Sequence, residues 1–287
     1  MKLSSTLVLL LFSIGVYSQI EFPPVSPPSK IIQQVGLTEL KVSYSRPAAR
    51  GRKIIGGLVP YKRIWRVGAN ESTKFSMDTD VKIGGKHLAK GTYALYAFPY
   101  EDYWDIIFHT DTTLWGDGRD KYMPEKDALR IGIRPSRTKD YQENFLITFD
   151  SITHNGTKMN WLWENTLISI PIEVETDVLM QTSIERALKE QPTAQTYYEA
   201  ARYLVEQNRN PSVALNYVNK AIALGGKTYY FFRVKSLAEA ALGNYKNAIS
   251  SATTSRKIAD SLGKDEFVRL NEANILNWQK KINSSRD

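Results

Sequence analysis

The chain has 287 residues, with 38 basic side chains against 30 acidic ones, three histidines and no cysteine. Without cysteine there is neither a disulfide framework nor a lipid-modified cysteine anchor, so stability has to come from buried apolar surface. The formal charge of +8 is concentrated: from Lys30 to Arg66 nine basic residues stand against one acid, Glu39, which points to one face of one domain.

Residues 1–18 read as a secretory signal, with Lys2 as the positive start, an apolar run from Leu7 to Val16 and a small-residue exit at Val16-Tyr17-Ser18. Cleavage is expected before Gln19. The run is about ten residues, half of the roughly 20 that a membrane-spanning helix needs, and no later segment reads as a span. A soluble protein, periplasmic in a Gram-negative cell or secreted, is therefore expected. The mature chain of about 269 residues exceeds the size at which one core stops growing, so two domains are expected.

Residues 19–29 form a proline-rich lead. Its Pro23-Pro24-Val25-Ser26-Pro27-Pro28 lacks backbone donors and suits a tether or a sheet edge. Residues 30–174 then show short β-rich runs: Lys41 to Tyr44, Val81 to Ile83, Thr92 to Phe98 and Trp104 to Phe108. Gly84-Gly85 and His154-Asn155-Gly156 are tight-turn signals. The strands flanking the second turn, Asn144 to Asp150 and Lys158 to Glu164, alternate, with Met159, Trp161 and Trp163 on one face. Leu167 to Val174 reads as a last strand, and Pro171 within it argues for an edge. Short strands joined mainly by turns predict an all-β antiparallel sandwich or barrel.

From Thr176 to residue 283 the period becomes 3.6, so the second domain is all-α. Thr176-Asp177 starts a helix running through Lys189, and Pro192-Thr193 opens another. Ala214 and Ala248, Tyr198 and Phe232, and Leu204 and Ala238 are each 34 residues apart. That spacing, with the stretch Ala240 to Ile249, resembles the tetratricopeptide repeat over residues 195–262, and the flanking helices at 176–190 and 264–283 serve as caps. A plain helical bundle is the alternative. The resemblance implies a concave face presenting Glu199, Tyr203, Gln207, Arg233 and Leu237 to a protein partner; docking onto the β domain or a homodimer is the competing use of that face.

In the first domain the blocks Tyr44-Ser45-Arg46-Pro47, Arg50-Gly51-Arg52, Pro60-Tyr61, Trp65-Arg66, Gly68-Ala69-Asn70-Glu71, Gly91-Thr92-Tyr93-Ala94-Leu95 and Trp115-Gly116 occur in one order. With them, residues from about 30 to 172 resemble a bacterial family of exported proteins, domain of unknown function 2911 (DUF 2911), common in Bacteroidetes. The resemblance brings no reaction with it. It implies a helical repeat region downstream as a familiar companion. Lys90 departs from the pattern, standing where a small residue is usual before the glycine.

The chemistry on offer centres on Arg46, Arg50, Arg52 and Arg66. Guanidinium groups bind carboxylate, phosphate or sulfate in two-point fashion and stack on rings such as Tyr44, Tyr61 or Trp65. With Trp65 and Asn70 they form a candidate site for an anionic or polar ligand; the plainer reading has them holding loops by pairing with Glu71, Asp127 or a strand-end carbonyl. Trp65 and Trp115, beside glycines, are the exposed ring candidates, whereas Trp104, Trp161 and Trp163 read as core. Glu71, beside those arginines, is the candidate acid or base. Glycoside chemistry needs a second carboxylate, and Asp102, Asp105, Asp117 and Asp127 are equivalent in the sequence.

His87, His109 and His154 have no ligand spacing, so no metal is expected, and there is no phosphate loop, dinucleotide fingerprint or serine elbow to call for a cofactor. Export turns the basic patch away from nucleic acid toward anionic glycans or acidic surfaces. Two functions remain: an exported binding or scaffold protein, and a hydrolase acting on cell-envelope material or polysaccharide through Glu71. Whether it is an enzyme stays open, with the balance toward binding.

Overall fold

The computed structural model describes residues 22–118 and 120–284. The signal segment at 1–18 and the junction before Gln19 lie outside the described residues. The chain divides into two units between Glu175 and Thr176, where the sequence period changes from two to 3.6.

The first unit runs β1 (Pro28–Val35), β2 (Thr38–Ser45), β3 (Lys74–Met77), β4 (Val81–Ile83) and β5 (Lys86–Leu88). It continues with β6 (Gly91–Pro99), β7 (Trp104–His109), β8 (Asp127–Ile133), β9 (Ser136–Thr153) and β10 (Gly156–Val174). Two sheets result, ordered β1-β2-β3-β6-β7-β8 and β5-β4-β10-β9, with antiparallel pairing along each ladder. They do not close into a barrel. Alternation explains the packing: Leu40, Val42 and Tyr44 of β2 point inward while Glu39, Lys41 and Ser43 do not. They join Phe75, Leu95, Ile106 and Phe108 against Ile83, Ile147, Trp161 and Ile170 of the other sheet, in one core.

β6 is buried on both faces. Tyr93, Leu95 and Ala97 face the main core, and Ala94 and Tyr96 join Ile107 and Leu114 in a second cluster on the outer side. The segment between β7 and β8, carrying Leu114 and Tyr122, covers that outer side. Over β1 to β3 the outer face carries Lys30, Ser43 and Lys74 in one cross-strand row.

Both turn signals form hairpins, joining Ile83 to Lys86 and Thr153 to Gly156. The edge position expected from Pro171 is corrected: β10 is one long interior strand. Pro171 falls between the end of the β9 ladder at Leu167 and the start of the β4 ladder at Ile172, where no strand donor is required, and its carbonyl accepts from the Gly84 N–H at 3.0 Å.

The second unit comprises α1 (Thr176–Glu190), α2 (Ala194–Glu206), α3 (Pro211–Ala223), α4 (Tyr229–Ala241), α5 (Tyr245–Ser261) and α6 (Asp265–Ser284). Thr193 caps α2 by accepting from the Thr196 N–H, and Pro211 opens α3 at a position that needs no donor. Ala214, Val218 and Ala221 of α3 are buried, and so are Ala248, Ala252 and Ser255, 34 residues on in α5. The register is less regular in the other helices: Phe231, rather than Phe232, joins Tyr198 in the core. No described helix is long and apolar enough to cross a membrane.

Candidate functional site

The basic block lies in the connection from β2 to β3, residues 46–73, which closes one end of the sandwich. Backbone hydrogen bonds fasten it at two points. Near its start, Ala49 N–H donates to Glu143 O and Phe145 N–H to Pro47 O, both at 2.9 Å. Further on, Trp65 and Ala97 exchange N–H···O bonds of 2.8 and 2.9 Å, adding a one-residue bridge to β6. Between and beyond these points the backbone is contorted. Arg50, Lys62, Val67 and Asn70 all hold left-handed conformations, φ 52°, 60°, 55° and 60°. For β-branched Val67, fully buried, this is a costly conformation that only its surroundings maintain. Gly68 (φ 144°) has no alternative, because a Cβ there would lie 3.0 Å from Ser45 O.

Trp65 is not the exposed ring the sequence suggested. It is 9% exposed, and its indole N–H donates to Gly68 O at 3.3 Å. It packs among Trp104, Phe145 and Trp163. Periodicity carried no sign of this, because the bridge to Ala97, not a run of strand residues, turns the ring inward. Trp115 matches its expectation, at 70% exposed.

The six residues singled out beside Trp65 do not share one hollow. Arg50, Arg52 and Arg66 line a hollow of about 270 Å3 whose walls include Trp65 and Trp163. Asn70 and Glu71 line a separate hollow of about 640 Å3 with Lys30, Lys74 and Trp115. Arg46 lines neither; its Nε donates to Phe145 O at 3.0 Å. That is the loop-holding role, through a strand carbonyl.

The other three guanidiniums also meet backbone carbonyls. Arg52 donates from Nε to Ala49 O (3.0 Å) and from Nη2 to Ala48 O (2.7 Å), a local clamp on its own turn. Arg66 Nη1 donates to Asn70 O at 3.1 Å, and Arg50 Nη2 reaches Val25 O at 3.4 Å. These contacts use some donors but cancel no charge. Glu143 turns its carboxylate to the Arg50 backbone N–H (2.8 Å), which fixes the turn, and Asp127 pairs with Arg130 instead. Three cations thus line one small hollow backed by indoles, an arrangement suited to a small oxyanion.

In the larger hollow, Lys74 is half-buried and donates to Ser72 Oγ at 2.6 Å. Burial pulls its ammonium below the ordinary lysine range, with Glu71 and Asp111 acting in the opposite sense. Among the described residues Glu71 is the one carboxylate in this lining, and its backbone bridges to Trp115. Lys74 went unnoticed in the sequence; its position two residues before Ser76 on the polar face of a short strand was the available signal.

His109 is fully enclosed. Its Nδ1 accepts from the Asp111 N–H and its Nε2 donates to Met123 O, both at 3.1 Å, so both nitrogens serve the cover over β6 and β7. Among the described residues no three His, Asp or Glu side chains gather as metal ligands.

In the helical unit, the residues expected to meet a partner are partly occupied within it. Tyr203 donates its hydroxyl to Asp177 Oδ1 at 2.6 Å, tying α2 to the first turn of α1. Arg233 is half-buried on α4 and reaches Asn271 Oδ1 of α6 at 3.4 Å. Gln207 caps the end of α2, its N–H donating to Tyr203 O at 3.0 Å.

The profile of a family described as "Protein of unknown function (DUF2911)" matches residues 26–172, from the proline-rich lead into β10. No curated protein matches the chain.

Proposed function

We propose, for a chain that belongs to the DUF2911 family, that the β unit is an exported binding module for a small anionic group. The observation that carries this reading is the convergence of Arg50, Arg52 and Arg66 on one indole-backed hollow, with guanidinium contacts that, among the described residues, reach backbone oxygens and no carboxylate. Its volume of about 270 Å3 is at the low end for ligand sites. It suits a carboxylate, sulfate or phosphate group with little else attached, such as the acidic end of a glycan. The helical unit, with its 34-residue burial pattern in α3 and α5, acts as a tetratricopeptide-like repeat that engages a protein partner, which makes the whole chain a scaffold in the periplasm or outside the cell.

Calorimetric titration of the full chain with inorganic sulfate, inorganic phosphate and galacturonate tests the first part. Binding should weaken as NaCl rises from 50 to 500 mM. Arg50 is the cleanest probe, being exposed and weakly tied, and Arg50→Ala should cost about tenfold in Kd with the unfolding midpoint unchanged. An Arg50→Ala/Arg66→Ala double variant that binds all three anions like the parent, or a parent that binds none, ends this reading.

A second reading, hydrolysis through Glu71, draws on its place beside Lys74 and exposed Trp115 in the larger hollow. It has less support, because among the described residues no second carboxylate lines that hollow. Release of reducing ends from envelope polysaccharide, abolished in Glu71→Gln, is the result it requires.

A further inference from the structure

A third hollow, of about 560 Å3, is lined by Lys53, Ile55 and Tyr61 of the 46–73 connection and shares no lining residue with the arginine hollow, and none of the roles above involves it. Three tyrosines line it, Tyr61, Tyr100 and Tyr141. Tyr61 and Tyr141 are 37% and 54% exposed, while Tyr100 is braced by a parallel stack on Tyr103, centroids 4.5 Å apart and planes within 13°. Each ring offers an apolar face with a polar tip, the form that stacks on a sugar and still hydrogen-bonds to it.

The charges in the wall decide the ligand class. Lys53 and Arg137 stand against Glu101 and Glu164, so the hollow has no net formal charge. An anion would meet two carboxylates and a cation two basic groups. A ligand carrying many hydroxyls, each able to donate and accept, can use all four.

Two irregularities of the fold build this wall. Between the pairs Glu164↔Gln142 and Thr166↔Arg137, β9 spends five residues where β10 spends two, so residues 138–141 bulge out and carry Tyr141 to the hollow. Asn165 holds the bulge, its Nδ2 donating to Thr138 O and Asp140 O, each at 3.2 Å. On β10, Glu164 itself sits at φ 50° inside a strand, a strained conformation for a non-glycine residue. On the facing connection, Gly56 (φ 75°) leaves room for the Tyr61 ring; a Cβ there would come within 2.7 Å of Tyr61 Cε2.

We propose that this hollow binds a neutral sugar unit of a glycan chain, with Tyr61 and Tyr141 stacking on its faces and Glu101 and Glu164 accepting from its hydroxyls. It is separate from the arginine hollow and does not depend on the reading given for it.

The test is calorimetric titration of the full chain with cellohexaose, laminarihexaose, maltohexaose, mannohexaose and chitohexaose, at 50 and 500 mM NaCl. At least one should bind, with a Kd that changes less than about twofold between the two salt levels, because no net charge is involved. Tyr61→Ala and Tyr141→Ala should each weaken that Kd about threefold to tenfold, and Arg50→Ala should leave it unchanged. Glu101→Ala should weaken binding without lowering the unfolding midpoint, since that side chain is exposed; this separates loss of a ligand contact from loss of the fold. The proposal is overturned if none of the five binds. It is equally overturned if binding survives intact in the Tyr61→Ala/Tyr141→Ala double variant, or if Arg50→Ala is the change that weakens it.

Discussion

Trp65 and Trp163 stack with centroids 6.0 Å apart and planes 25° from parallel, which joins the 46–73 connection to the centre of β10. Trp104 and Phe145 meet Trp65 edge-on at 5.9 and 5.2 Å. Closing the connection and completing the core are therefore one event. Trp65→Ala should lower stability by about 3–5 kcal/mol, whereas Trp115→Ala, an exposed ring, should change it by no more than about 0.5 kcal/mol. Urea unfolding of the two variants checks this; a Trp65→Ala midpoint equal to the parent's rules out the coupling.

What the sequence made legible follows from how local each cause is. Gly84-Gly85, the alternation around Trp161 and the change of period at Thr176 depend on neighbours in the chain, and the structure has the hairpin, the inward face and the helix there. β1 was missed because Ile31 and Ile32 point to opposite faces of an edge strand, which blurs the alternation. The concentration of arginines was visible as composition, but their grouping was not. Arg50 and Arg52 share a hollow with Trp163, and Glu71 shares another with Lys30, through pairings between residues far apart in sequence. The third hollow combines Lys53, Tyr100, Tyr141 and Glu164 around a bulge that has no turn signature. Only the tertiary fold assembles it.

Lys74 gives a pH dependence whose sign is fixed. Burial holds its ammonium below the ordinary range in the folded protein, while in the unfolded chain it titrates near about 10.4. Between those two values the unfolded chain binds more protons, so stability rises with pH, and the group's contribution is lost as pH falls through the folded value. Lys74→Met should therefore melt higher than the parent at pH 7, with the difference shrinking toward pH 10.5. Thermal melts across that range check it, and a difference that grows with pH contradicts it.

Asp111 acts in the opposite pH range. Its carboxylate accepts from the Thr113 hydroxyl (2.7 Å) and N–H (3.0 Å) and from Lys126 Nζ (3.1 Å). These contacts, the Thr113 hydroxyl first, hold it well below the usual carboxylate range. A depressed carboxylate contributes stability that is present above its unfolded value, near about 3.9, and lost as pH falls through the folded one. Acid should then loosen the segment that covers Tyr96 and Ile107 before the main core opens. Trp115, which lies in that segment, reports on it: its fluorescence should shift at a lower pH in the parent than in Asp111→Asn. Identical transitions in the two proteins would remove Asp111 from the account.

Tyr203 is tied to the first turn of α1 through Asp177, which Arg209 meets as well, and this decides how a loss of partner binding in its variants has to be read. Its hydroxyl donates to Asp177 Oδ1 at 2.6 Å, and Arg209 Nη2 meets the other oxygen, Oδ2, at 2.7 Å. Burial, and then the bond to Asp177, push the phenol above its ordinary range. A raised phenol contributes stability that is complete below the unfolded value near about 10 and disappears as pH climbs through the folded one, so α1 should loosen only in strong alkali. Tyr203→Phe removes this donor to Asp177, at a cost of about 1.5–3 kcal/mol for a hydrogen bond to a charged group. Amide exchange should then quicken along α1 while the β-unit amides stay as protected as in the parent. If α1 exchange is unchanged and a partner is lost all the same, Tyr203 meets that partner directly; if both change together, the residue acts by seating α1 and the binding face lies elsewhere on the repeat.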